Sequence, residues 1–217
     1  MKAIRLSSIE MRLSVMVRKM SFCLALVLAA PAAILAPDAA HAVDPGHLIL
    51  RERAPTPRGF AGLCGQYPWL CAVTRGPAAP DTRTLALAQR INLRVNRGVP
   101  QIDDAVQYGV ADHWALPTAR GGDCEDLAML KKKELVALGV PPQSLLLATV
   151  LDRQRENHAV LVLRTRQGDY VLDNLDNTLL PWAQTGYTFL AMQDPATPAH
   201  WDRLLQGGML AMQVASN

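Results

Sequence analysis

The 217 residues carry 22 lysines and arginines against 19 acids, a formal charge of +3. The first 42 hold five of the basic and two of the acidic residues. The other 175 keep 17 of each, so charge leaves no electrostatic footprint for a nucleic acid. That length supports one well-formed core and leaves little room for two independent domains.

The chain begins with Lys2, Arg5, Arg12, Arg18 and Lys19 against a single acid, Glu10. The apolar run SFCLALVLAAPAAILAP follows, and then DAAHAVDP, where Ala40 and Ala42 flank His41. Charged, apolar and small-x-small segments in that order predict a secretory signal at 1–42, cleaved after Ala42. Pro31 and Pro37 interrupt the run, which falls short of the roughly 18–20 apolar residues of a membrane span, so a mature part without a transmembrane anchor is expected. A single mature domain, 43–217, then acts outside the cytoplasm.

Export sets the cysteine chemistry. Cys23 leaves with the signal, and Cys64, Cys71 and Cys124 stay. In LCGQYPWLC, Cys64 and Cys71 are close in sequence with Pro68 between them to turn the chain, so a disulfide is expected. Zinc ligation is the rival, but no second Cys/His pair with ligand spacing exists. Cys124 is left as an odd thiol, either a buried structural cysteine or a reactive one.

Residues 43–60, rich in Pro, Arg and Gly, read as irregular. Residues 81–98 read as a helix: Asp81 or Thr82 caps it, Leu85, Ala88, Ile91, Asn92 and Val95 recur at helical spacing, and Gly98 with Pro100 stops it. An ordered loop with a short helix is expected over 99–120. The next helix starts at Gly122 or Asp123. Leu127, Ala128, Leu130, Leu135 and Leu138 form its apolar face, Lys131, Lys132, Lys133 and Glu134 its solvated face, and Gly139 and Pro141 end it. The period then changes. SLLLATVLD, HAVLVLRT and DYVLDNL read as antiparallel strands joined by polar turns, GYTFLAMQ as a further strand, and PAHWDRLL as a closing helical turn. Helices first and an antiparallel sheet second make an α+β fold.

Cys124 falls in the first turn of its helix, where free N–H groups and the helix dipole favour a thiolate. A nucleophilic thiolate needs a base, itself oriented by a polar group. His158 opens an apolar strand after a charged turn and is the favoured base; His113, in a loop, competes; His47 and His200 read as surface residues. A two-residue turn at Arg166–Gln167 would pair Asp173 with Val160, setting Asp173 diagonally beside His158 on one face. Asp123, Glu125 and Asp126 crowd the thiol and oppose the dipole. They are either helix-start acids or carboxylate ligands for a divalent cation.

The segments DHWALPTARGGDCEDLAMLKKKELVALGVPPQSL and NHAVLVLRTRQGDYVLDNL, together with LCGQYPWLC, GYTFL and AHW, resemble the bacterial transglutaminase-like cysteine proteinases of the LapG family. Leu127 departs from the aromatic residue many relatives have. The resemblance implies a papain- or transglutaminase-like fold, with helices packed on an antiparallel sheet. It implies Cys124 as nucleophile, His158 as base and Asp173 as orienting carboxylate. It also implies calcium held by Asp123 and Glu125, with Asp126 assigned beside them and Asp103, Asp104 and Asp112 as further candidates. A periplasmic location is implied too, with a large repeat-rich surface adhesin, cut near its N-terminus after small residues, as substrate, and an inner-membrane cyclic di-GMP receptor as sequestering partner. Transfer of a glutamine acyl group to an amine by the same triad, and a non-enzymatic calcium-binding domain, are the alternatives.

Overall fold

The structure, a computed structural model, describes residues 46–75 and 80–208; the signal expected over 1–42 lies outside them. All described residues belong to one compact unit, Ala42–Asn217. Its elements are strand β1 (Arg53–Ala54), the short helix α1 (Leu63–Gln66), helix α2 (Thr82–Gly98), the single turn α3 (Asp104–Gln107) and helix α4 (Cys124–Ala137). Strands β2 (Leu145–Leu151), β3 (Asn157–Arg164), β4 (Asp169–Leu172), β5 (Leu180–Pro181), β6 (Thr188–Gln193) and β7 (Trp201–Gly207) follow. Among the described residues no helix is long and apolar enough to cross a membrane.

Helix α2 begins where Asp81 Oδ1 accepts from the N–H groups of Arg83 and Thr84, satisfying two donors the helix cannot. Its buried face is Ala88, Ile91, Asn92 and Val95, and Asn92 spends its amide on the Asp176 carbonyl at 2.9 Å. Asn96 does the same for the Asp173 carbonyl at 2.7 Å, tying α2 to the chain just after β4.

The sheet has seven strands in the order β1-β7-β6-β2-β3-β4-β5, all pairs antiparallel. It is covered on both faces. Leu145, Leu147, Ala159, Leu161, Leu163 and Leu172 pack under the helices; Leu146, Ala148, Val150, Val160, Val162 and Val171 pack on the other side with Leu48, Tyr187 and Phe189. Double coverage explains why β2 and β3 read as near-continuous apolar runs and not as alternation. The β3–β4 turn has the register a two-residue turn imposes: Leu161 faces Leu172 and Arg164 faces Asp169, with Thr165 N–H donating to Gly168 O at 3.0 Å.

Two expectations are overturned. The segment at 201–207 is a strand, β7, not a helical turn. Its pairing with β6 is irregular near Phe189 and Ala191, and Leu205 has φ +50°, so its side chains never alternate cleanly in the sequence. The second correction concerns α4, which lies between α2 and the sheet rather than on the surface. Lys131 and Lys132 are 1% and 0% exposed, and only Lys133 of the triplet is solvated. Lys132 Nζ donates to Leu70 O at 2.7 Å and to Gln193 Oε1 at 3.0 Å, joining α4 to the Cys64–Cys71 loop. Burial pushes its ammonium down to about 7.

Candidate active site

Cys124 is the first residue of α4 and Asp123 its N-cap, although the Asp123 side chain makes no capping bond. The approach to this helix is tight. Gly121 has φ +121°, and a Cβ there would lie 2.1 Å from Pro100 O; one on Gly122 would lie 2.5 Å from Asp126 Oδ2. The pair of glycines therefore lets the 100–102 strand-like segment lie against the helix start, with Ile102 N–H donating to Gly122 O at 3.1 Å.

Cys124 is the free cysteine of the described residues, and Cys64 and Cys71 form the disulfide, their Cα atoms 5.5 Å apart. The thiol borders a cleft of about 570 Å³ whose walls include Asp104, Trp114, Asp123, Glu125, Val150, Asn157 and His158. His158 stands at the start of β3, paired with Val150. Beside that pair the β2–β6 register slips between Thr149 and Val150, a bulge at the cleft wall of the kind that re-aims side chains.

His158 Nε2 bonds Asp173 Oδ1 at 2.8 Å, with both side chains buried. Nδ1 is then the ring nitrogen left for a thiol proton. Asp173 directly follows β4, and both its oxygens are engaged: Oδ1 also accepts from Leu175 N–H at 3.0 Å, and Oδ2 from the Tyr187 hydroxyl at 2.5 Å. Against its own burial, the bonds from His158 and Tyr187 hold its carboxyl below the usual carboxylate range. His113 does not line the cleft; its ring packs on Tyr108 at 4.6 Å. His47 and His200 are exposed.

The thiol's hydrogen bond goes to Glu125 Oε2, at 3.0 Å. Burial, then the Glu125 charge and this bond, push the thiol well up, while the Ala159 N–H opposes them and Asp123 adds to them. Glu125 itself is pushed up to about 8, chiefly by burial. Burial and the neighbouring acids together favour the protonated thiol.

Asp104, Asp123 and Glu125 each place a carboxylate oxygen within 4.8 Å of the others. Asp104 Oδ1 and Asp123 Oδ1 are buried without a hydrogen-bond partner among the described residues. Burial raises both carboxyls, and the like charge of Asp104 raises Asp123 further. Buried, unpartnered carboxylate oxygens in a convergent group are what a hard divalent cation requires, so the residues fit one. Of the three acids singled out in the sequence, Asp123 and Glu125 fall in this group. Asp126 lies outside that group; its Oδ1 accepts from Ala115 N–H at 2.7 Å, and its Oδ2, like the Oδ1 atoms of Asp104 and Asp123, is buried without a hydrogen-bond partner among the described residues. The third member is Asp104 on α3, a residue distant in sequence that the packing of the 99–120 loop brings near.

A helix-borne cysteine beside a strand-borne histidine–aspartate pair defines a cysteine hydrolase or acyl transferase of the transglutaminase-like class. Residues 50–209 match the family described as bacterial transglutaminase-like cysteine proteinase, and the chain belongs to that family of cysteine peptidases. Among solved structures it is similar to calcium-bound LapG of Legionella pneumophila, at 21% identity over 64% of this chain and 81% of that one, with a TM-score of 0.47. A second structure of that protein aligns at 22% identity, 61% and 75% coverage and a TM-score of 0.46. An EGTA-treated one aligns at 24%, 50% and 62%, and 0.44. No curated protein matches significantly.

Proposed function

We propose that the chain is a periplasmic, calcium-dependent cysteine endopeptidase that cuts the N-terminal region of a large, repeat-rich surface adhesin. Cys124 is the nucleophile, His158 the base and Asp173 the carboxylate that orients it. The observation that carries this reading is the buried His158–Asp173 bond at the wall of the cleft that holds Cys124.

In this mechanism His158, bound through Nε2 to Asp173, takes the thiol proton at Nδ1. The sulfur attacks the scissile carbonyl, and the imidazolium then protonates the leaving amine. Water hydrolyses the resulting thioester with His158 as base. Asp173 stays ionised throughout, its charge held by three donors.

Asp104, Asp123 and Glu125 would hold a calcium ion, which would supply positive charge beside these acids and the thiolate. Glu125 both accepts from the thiol and belongs to the carboxylate group. The periplasmic assignment draws support from the 1–42 leader pattern and from the Cys64–Cys71 disulfide. Sequestration by an inner-membrane cyclic di-GMP receptor is part of the same proposal. So is the choice of water over an amine as acyl acceptor, which membership of a proteinase family favours.

The test is incubation of the calcium-loaded protein with the N-terminal region of a large adhesin from the same bacterium. Defined fragments that EGTA prevents are expected. Incorporation of a fluorescent amine into the adhesin without cleavage would instead assign the transferase.

A further inference from the structure

Tyr187 lies in the turn before β6, 3% exposed, outside the cleft lining and outside every motif assigned a chemical role above. Its hydroxyl nevertheless reaches the candidate triad. It donates to Asp173 Oδ2 at 2.5 Å, the one hydrogen bond to that oxygen among the described residues, and its ring stands edge-on to His158 at 5.8 Å and 88°.

The tyrosine is itself well held. Its N–H donates to Thr185 Oγ1 at 3.1 Å, and that hydroxyl donates to Trp182 O at 2.8 Å; Gly186 takes φ +76° to make the turn. Arg153, from the β2–β3 turn, lies over the ring at 5.8 Å and donates through Nε to Thr185 O at 2.8 Å. A side chain needed only to fill the core would call for no hydroxyl; phenylalanine would pack as well. Here the hydroxyl has one buried, charged partner.

We propose that Tyr187 is a positioning residue for His158: its hydroxyl fixes the Asp173 carboxylate and its ring edge fixes the imidazole plane, so that Nδ1 stays available to the Cys124 proton. This rests on the Cys124–His158–Asp173 reading and extends it to a fourth residue. Without the hydroxyl, Oδ2 becomes a buried charged oxygen with no donor, so the carboxylate turns toward another partner or binds a proton more readily. The charged and titratable groups around Asp173 are His158 on β3, Tyr187 itself, Lys131 on α4, whose charge it stabilises, and Arg153 and Asp176 on the flanking loops.

The test needs no protein substrate. Iodoacetamide alkylation of Cys124 in the calcium-loaded full chain is followed against pH at its tryptic peptide by mass spectrometry. Five proteins are compared: unmodified, Tyr187→Phe, Asp173→Asn, the double variant and His158→Ala. Tyr187→Phe keeps the ring, and its melting curve checks the fold. It is expected to slow alkylation near neutral pH about tenfold, the rate equivalent of one hydrogen bond to a charged group. The acid limb of the profile is expected to move to higher pH, because Asp173 loses a donor that keeps it ionised. In the Asp173→Asn background the same substitution is expected to change nothing, since its effect passes through that carboxylate. An unchanged rate and profile in Tyr187→Phe, or the same slowing in both backgrounds, would overturn the inference. His158→Ala separates the two readings: if it leaves alkylation unaltered, the triad falls and the role of Tyr187 falls with it.

Discussion

His158 Nε2 and Asp173 Oδ1 lie 2.8 Å apart across neighbouring antiparallel strands, a contact set by one two-residue turn. Because Leu161 faces Leu172, continuing the ladder sets Asp173 opposite Val160, diagonal to His158 on the same face. A one-residue change in that turn would send the carboxylate to the other side of the sheet.

The consequence is an ordering of variants. His158→Ala is expected to lower turnover by at least about 10³-fold, since it removes the one imidazole that lines the cleft among the described residues. Asp173→Asn is expected to retain more activity, because it leaves the His158 base in place and removes only the charge that orients it. Steady-state kcat on the adhesin fragment, with circular dichroism to check the fold, measures both. Equal losses would show that Asp173 does more than orient.

Calcium is expected to raise both activity and melting temperature, with magnesium a poor substitute because of its stricter octahedral geometry. The pH dependence follows from Glu125 and Asp126, pushed by burial up to about 8 and about 7. Both are raised, so in the calcium-free protein their contribution to stability is full below the ordinary carboxylate range and lost as pH climbs through 7 to 8. The melting temperature of the EGTA-treated protein is therefore expected to fall between pH 5 and 8, and the gain on adding calcium to grow over the same interval. A calcium-induced gain that is flat across this range would count against Glu125 as a ligand.

Much of this arrangement is legible in the sequence because it is local. Asp81 capping α2, Cys124 opening α4 and the turn at Arg166–Gln167 each depend on residues within a few positions of one another. What is not legible is what distant segments do to a local pattern. Lysines at 131 and 132 look like a solvated face until α2, the disulfide loop and Gln193 close over α4. Asp104 joins Asp123 and Glu125 only through loop packing, and Tyr187 meets Asp173 only because its turn folds back behind β4. The irregular β7 hides its own period.

Lys132 gives a test of that packing. Its folded-state ammonium is pushed down to about 7, against about 10.4 when unfolded. Between these values the unfolded chain holds a proton that the folded chain does not, so its contribution to stability rises as pH rises through that window. Lys132→Met removes this term. The melting temperature of the unmodified protein relative to Lys132→Met is expected to increase between pH 6.5 and 9.5. A pH-independent difference would mean that Lys132 stays charged in place.

The Cys64–Cys71 bridge closes a short loop, so its reduction is expected to cost only ~2–3 kcal/mol on the chain-entropy model. Mass spectrometry of the unreduced protein is expected to show these two cysteines linked and Cys124 free to react. Denaturant melts with and without reductant measure the cost. A loss well above this range would show that the bridge also supports the Leu70 carbonyl network beneath it.

The most direct measurement is cleavage of the adhesin N-terminal region by calcium-loaded Cys124→Ala beside the unmodified protein, with intact-mass detection of an acyl adduct on Cys124. The account predicts defined fragments and a transient thioester with the unmodified protein, and neither with a folded Cys124→Ala. Fragments from Cys124→Ala at a comparable rate would contradict it.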